Sequence, residues 1–80
     1  MEPYLGTIQA FPYGYAPYGW ALCDGSPHRI IENQALFALI GFKFGGDGQS
    51  TFNYPNLTGA SPDPNMQYYI AVMGLFPPRQ

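Results

Sequence analysis

The chain has 80 residues, of which 46% are hydrophobic, 18% aromatic and only 10% charged, and its formal net charge is −2. Three basic residues give almost no counterion-release driving force, which excludes nucleic acid as a partner. No apolar run approaches the roughly 18 residues needed to span a bilayer.

In chain order, Leu5 to Phe11 reads as a first strand, with Ile8 and Ala10 on one face and Thr7 and Gln9 on the other. Residues 12–19, PYGYAPYG, read as a turn-rich loop in which Pro fixes φ, Gly permits positive φ and the tyrosines supply packing area. Trp20 to Cys23 reads as a short strand closed by the turn signal Asp24-Gly25, with Ser26, Pro27 and His28 continuing that turn. Asn33 is the expected N-cap of a short helix, Gln34 to Ile40, which Gly41 ends in the left-handed conformation. Leu36, Phe37 and Ile40 share one helix face, with Leu39 beside it. Lys43 to Gly48 is a Gly-rich loop, Ser50 to Tyr54 a short extended piece, and residues 59–65 a loop. The closing run Tyr68 to Phe76 reads as a strand, uncharged and apolar or aromatic on both faces. Tyr68, Ile70, Val72 and Phe76 point one way along it, and Tyr69, Ala71, Met73 and Leu75 the other. The fold class these elements imply is small α+β, mostly β: short strands and Gly/Pro-rich loops around one short helix, in a single domain over residues 1–80.

These segments carry a resemblance. Residues 6–11 (GTIQAF), 16–25 (APYGWALCDG), 33–41 (NQALFALIG), 44–48 (FGGDG), 51–57 (TFNYPNL) and 69–77 (YIAVMGLFP) resemble, in order, the phage tail-collar domain family, which includes bacterial proteins termed microcystin-dependent. Longer members carry a long insert before the terminal strand, and some phage fibre proteins carry His-x-His metal sites after the collar. Here Thr58 to Gln67 stands in that place with no His-x-His pair, so the metal and receptor roles of that region do not transfer. The resemblance implies a collar scaffold, in miniature form, that associates into fibres or trimers.

The polar residues are explained without chemistry. His28 with Cys23 would make a Cys–His pair, but the sequence places no third, orienting group, and a loop histidine is the simpler reading. One His and one Cys fall short of a structural zinc site. Asp24, Asp47 and Asp63 each sit in turn chemistry that accounts for them without calcium. Residues 45–48, GGDG, lack the Gly-Lys-Ser/Thr ending of a phosphate loop. The expectation is a non-enzymatic chain with no cofactor and no metal.

A chain this short usually needs a staple, and with Cys23 as its lone cysteine the expected one is a partner subunit. The expected interface is Ile8, Ala10, Tyr69, Ile70, Val72, Met73, Leu75 and Phe76, with the first and last strands docking or pairing across copies of the chain. The alternative function is a carbohydrate- or cell-surface-binding tip, with Tyr13, Tyr15, Tyr18 and Trp20 stacking on sugar rings. No basic n-region and apolar h-region mark a signal peptide, so the expected location is an extracellular fibre or virion tail reached after cytoplasmic synthesis.

Overall fold

Residues 3–78 are described by the computed structural model, and their first regular element is strand β1, Ile8–Phe11. Strand β2, Trp20–Leu22, strand β3, Pro27–Arg29, and a 3₁₀ turn, Ile30–Glu32, lead into helix α1, Gln34–Ile40. Strand β4, Thr51–Asn53, and strand β5, Gln67–Ala71, complete the order. Two antiparallel sheets result, one of three strands in the order β1-β5-β2 and one pairing β3 with β4. The fold is therefore mostly β with one short helix, as the segments implied.

The last strand is the centre of its sheet. Ile70 pairs with Ile8 of β1 on one side and with Ala21 of β2 on the other. Alternation then sends Ile70 and Tyr68 to one face and Tyr69 and Ala71 to the other. Ile70 joins a core of Leu5, Cys23, Leu36, Phe52 and Tyr54, against which Phe37, Leu39 and Ile40 of α1 pack. The helix is too short to persist alone, so this packing holds it. Phe52 of β4 meets Phe37 edge-on at 5.4 Å and Tyr54 at 5.8 Å, which joins the smaller sheet to the helix.

The opposite face is covered by the chain itself. Tyr69 is 1% exposed and donates its hydroxyl to the Tyr13 carbonyl at 2.7 Å, with the Phe11 ring 5.9 Å away. The loop of Pro, Gly and Tyr between β1 and β2 thus folds back over the sheet.

Several expectations are corrected. The first strand begins at Ile8 rather than Leu5, because Thr7 closes a turn onto the Tyr4 carbonyl through both its N–H and its hydroxyl. Residues 27–29 form β3 instead of a turn, since His28 lies opposite Phe52 in the second sheet. Asn33 stands at the N-cap, yet its side chain does not cap the helix. Its Nδ2 donates to the Arg29 carbonyl at 3.1 Å, and its Oδ1 accepts from the Tyr54 hydroxyl at 3.2 Å. Gly41 ends α1 with a positive φ of 59°, as expected, but its ψ of −147° is not that of the left-handed helical conformation. The terminal strand stops at Ala71 rather than running to Phe76, because the N-terminal segment crosses there. Gly74, at φ 149°, lies so close to the Pro3 carbonyl oxygen that a Cβ would collide with it.

Candidate assembly surface

Past that crossing the two ends of the described chain run side by side. Leu5 N–H donates to the Leu75 carbonyl at 2.7 Å, and Leu75 N–H to the Pro3 carbonyl at 3.0 Å, in a parallel bridge of Tyr4 with Leu75. The side chains gathered there are large, apolar and open: Tyr4 is 52% exposed, Met73 50%, Leu75 53% and Phe76 52%. No charged residue stands in either paired segment, 3–5 or 73–76.

A second feature is the bare edge of β1. Ala71 N–H donates to the Thr7 carbonyl at 2.8 Å, and the register continues through Gln9 opposite Tyr69 and Phe11 opposite Gln67. In an antiparallel ladder alternate residues bond to a given neighbour. Residues 7, 9 and 11 therefore face β5, and the N–H and C=O groups of Ile8 and Ala10 point to the outer edge, where the described residues supply no further strand.

The expected interface residues divide accordingly. Met73, Leu75 and Phe76 are exposed, as is Ile8 at 42%, while Ala10 is half-buried. Val72 is half-buried against the core. Tyr69 and Ile70, each 1% exposed, are interior to the chain and leave no surface for a neighbour. The reason is topological: β1 and β5 pair with each other within one chain, and β2 takes the remaining edge of β5. Tyr4 was missed, although an aromatic residue next to Pro3 at the start of an uncharged segment was a usable signal.

The four aromatics of the alternative reading are only partly assembled. Phe11 stacks on Tyr13 at 5.5 Å, Tyr13 on Tyr15 at 5.8 Å, and Trp20 meets Phe11 edge-on at 5.0 Å. Trp20 and Tyr13 are thereby committed to covering the sheet, and Tyr15 is left 72% exposed at the end of the stack. Tyr18, 91% exposed, stands apart from it beside a shallow hollow lined by Pro3, Gly19, Met73 and Gly74.

The polar candidates serve the scaffold. Burial pushes the Cys23 thiol up to about 11, with the Asp24 charge adding to the shift, and the residue is 1% exposed. His28 does not pair with Cys23. Its ring stacks on Tyr54 at 3.6 Å and its Nε2 lies 2.9 Å from the Ser26 hydroxyl, and no sequence signal pointed to the stacking. Desolvation lowers the His28 pKa, against opposing pulls from Asp24 and Glu32. Asp24 accepts the Ser26 N–H at 3.0 Å, and Asp63 the Asn65 N–H at 2.9 Å. Asp47 accepts the N–H groups of Gln49, Ser50 and Thr51 at 2.8 to 3.0 Å, closing its loop. Among the described residues no group of three or more His, Cys, Asp or Glu side chains is placed to hold a metal ion. Nor is any described helix long and apolar enough to cross a membrane.

The fold is thus a small sheet scaffold whose polar side chains bind its own turns and whose paired ends carry exposed apolar side chains. The model of the Phage Tail Collar Domain matches residues 6–62, and the chain belongs to that family. That membership gives it a structural role and a place in the phage tail. The match takes in β1 to β4 and stops before β5, the strand that sits between β1 and β2. No curated protein and no solved structure matches the chain.

Proposed function

We propose that the chain is a non-enzymatic tail subunit that assembles with copies of itself into a fibre, a filament or a trimeric tail-fibre-like tip outside the host cell. The observation that carries this reading is the cluster of half-exposed Tyr4, Met73, Leu75 and Phe76 on the paired end segments. Soluble monomers rarely leave large apolar side chains together in water, and such clusters mark contact surfaces. A contact that closes by rotation gives a ring such as a trimer, and one that does not gives a filament.

Light scattering and negative-stain electron microscopy of the purified chain test this, alongside a Leu75→Asp/Phe76→Asp variant. Both side chains are half-exposed, so the variant keeps its circular dichroism while its assemblies are lost. A parent chain that stays monomeric at micromolar concentration overturns the reading.

A second reading, a glycan- or surface-binding tip, rests on the open faces of Tyr15 and Tyr18. A sugar-titration signal lost in Tyr15→Ala and Tyr18→Ala, with assembly intact, would favour it. Trp20→Ala is a poorer probe, because it also removes packing from Phe11.

A further inference from the structure

The sheet β1-β5-β2 ends on two strands whose outer edges differ. On β2, residues 19, 21 and 23 bond to β5, as shown by Val72 N–H to the Gly19 carbonyl at 2.9 Å and Cys23 N–H to the Tyr68 carbonyl at 3.1 Å. Trp20 and Leu22 face outward, but the chain itself takes half of their groups. Trp20 N–H donates to the Pro17 carbonyl at 3.0 Å, and the Leu22 carbonyl accepts from Asp24 at 3.0 Å. On β1 neither the N–H groups nor the C=O groups of Ile8 and Ala10 have a backbone partner at the edge among the described residues.

Such an edge is a template for another strand, and proteins usually blunt it with charge, proline or a bulge. Here β1 reads Ile-Gln-Ala-Phe, and no charged residue occurs anywhere from Pro3 to Cys23. Two copies of this strand meet no like-charge repulsion. The edge is also self-complementary, because it alternates donor and acceptor pairs two residues apart.

We infer that β1 pairs antiparallel with β1 of a second copy, with Ile8 opposite Ala10 of that copy and Gln9 opposite Gln9 on a two-fold axis. This register joins all four free groups of each edge, making four hydrogen bonds. Sliding so that Ile8 faces Ile8 leaves Ala10 opposite Gly6, outside the strand. Sliding the other way sets Ile8 opposite Pro12, which has no N–H to give. The three strands of each copy then form one continuous sheet across the axis. The contact is isologous and closes on itself as a pair. It rests on the self-assembly proposed above and uses a different surface. With the paired end segments as a second contact, such pairs propagate into a filament.

Cysteine scanning tests the register. Opposed Gln9 residues form a non-hydrogen-bonded pair with Cα atoms about 4.5 Å apart, within the span a disulfide bridges. Opposed Ile8 residues in this register are offset along the strands by two positions, beyond that span. Full-length Gln9→Cys is therefore expected to give a disulfide-linked dimer under mild oxidation, and Ile8→Cys and the parent chain, whose Cys23 is buried, to stay unlinked. Ala10→Pro removes an outward N–H and leaves the β5 ladder whole, so Gln9→Cys/Ala10→Pro loses the crosslink. Gln9→Lys, at an exposed position, sets like charges against each other on the axis and lowers the assembled fraction with unchanged circular dichroism. Linking of Ile8→Cys in preference to Gln9→Cys overturns the register. If the parent assembles by scattering but Gln9→Cys stays unlinked, the β1 contact is wrong and the self-assembly reading stands; a monomeric parent overturns both.

Discussion

The hydroxyl of Tyr69 and the carbonyl of Tyr13, 2.7 Å apart, tie the middle of the central strand to the loop that covers it. The loop has no regular structure of its own, and its other holds on the sheet are the stack of Tyr13 on Phe11 and the backbone bonds from Val72 N–H to the Gly19 carbonyl and from Trp20 N–H to the Pro17 carbonyl. Tyr69→Phe keeps the ring packing and removes the bond, which costs about 1 kcal/mol. For a domain of this size that lowers Tm by roughly 4–8 °C. Tyr69→Ala also empties the space beneath the loop and costs about 3–5 kcal/mol, a large share of the whole stability of a domain this small. Thermal denaturation by circular dichroism separates the two. Equal stability of Tyr69→Phe and the parent would mean that the hydroxyl bond adds nothing to the hold that packing and the backbone bonds at Pro17 and Gly19 already give.

Gly46 and Gly14 are a matched pair for testing where the glycines matter. Gly46 has φ 97°, and a Cβ there would stand 2.5 Å from the Phe52 Cα and 2.7 Å from the Thr51 carbonyl oxygen. Both obstacles are backbone of β4, which cannot turn aside as a side chain can. Gly46→Ala therefore costs about 3 kcal/mol or more, the sum of a strained backbone and a displaced strand. Gly14 has no left-handed φ and nothing within 4 Å of its Cβ position. Gly14→Ala leaves stability unchanged or raises it by about 0.5 kcal/mol through the unfolded chain. Chemical denaturation of the two variants gives the comparison, and a small Gly46→Ala effect would show that the loop can move off β4.

What could be read ahead of the structure was local. Helix α1 and its stop at Gly41 follow from apolar spacing and a glycine, and both depend on residues close together in the chain. The alternation within Tyr68–Ala71 was legible for the same reason. The end of that strand was not, since Val72 to Phe76 keeps the same apolar pattern and only the crossing of Pro3 at Gly74 interrupts it. The same limit applied to Tyr69: a strand apolar on both faces does not say whether a neighbouring subunit or its own loop covers the second face. Ile8, Met73, Leu75 and Phe76 were legible as surface candidates because they are apolar and terminal. The free edge of β1 depended on which strand became central, information that lies in contacts some 60 residues apart.

Cys23 gives a direct reading of local opening. It sits in the core beside Leu36 and Ile70, and its pKa is pushed up to about 11, so the reactive thiolate is suppressed by both access and protonation. A thiol reagent at pH 8 is expected to label the native chain only through unfolding, and to label it at once in denaturant. Destabilising variants such as Gly46→Ala would label faster, by about tenfold for each 1.4 kcal/mol of stability lost. Rapid labelling of the native parent would place Cys23 in a region that opens on its own, without the rest of the fold.

Acid should weaken the fold in two stages with different causes. His28 has its pKa lowered, first by desolvation against Tyr54, while Asp24 and Glu32 pull the other way. A histidine depressed in the folded state contributes stability that is present above its unfolded value of about 6.5 and is lost as pH falls through the folded value. Asp47 behaves likewise at lower pH. Its carboxylate accepts three backbone N–H groups and the Ser50 hydroxyl, which hold its pKa well below the usual carboxylate range. Its contribution is present above an unfolded value of about 3.9 and is lost below it. The expected curve of Tm against pH falls gently below about pH 6.5 and again below about pH 4. His28→Gln flattens the first fall and Asp47→Asn the second, each leaving the other in place. A Tm that rises on acidification through the first range would mean that Asp24 and Glu32 prevail over desolvation, and that the imidazolium is the form the folded chain prefers.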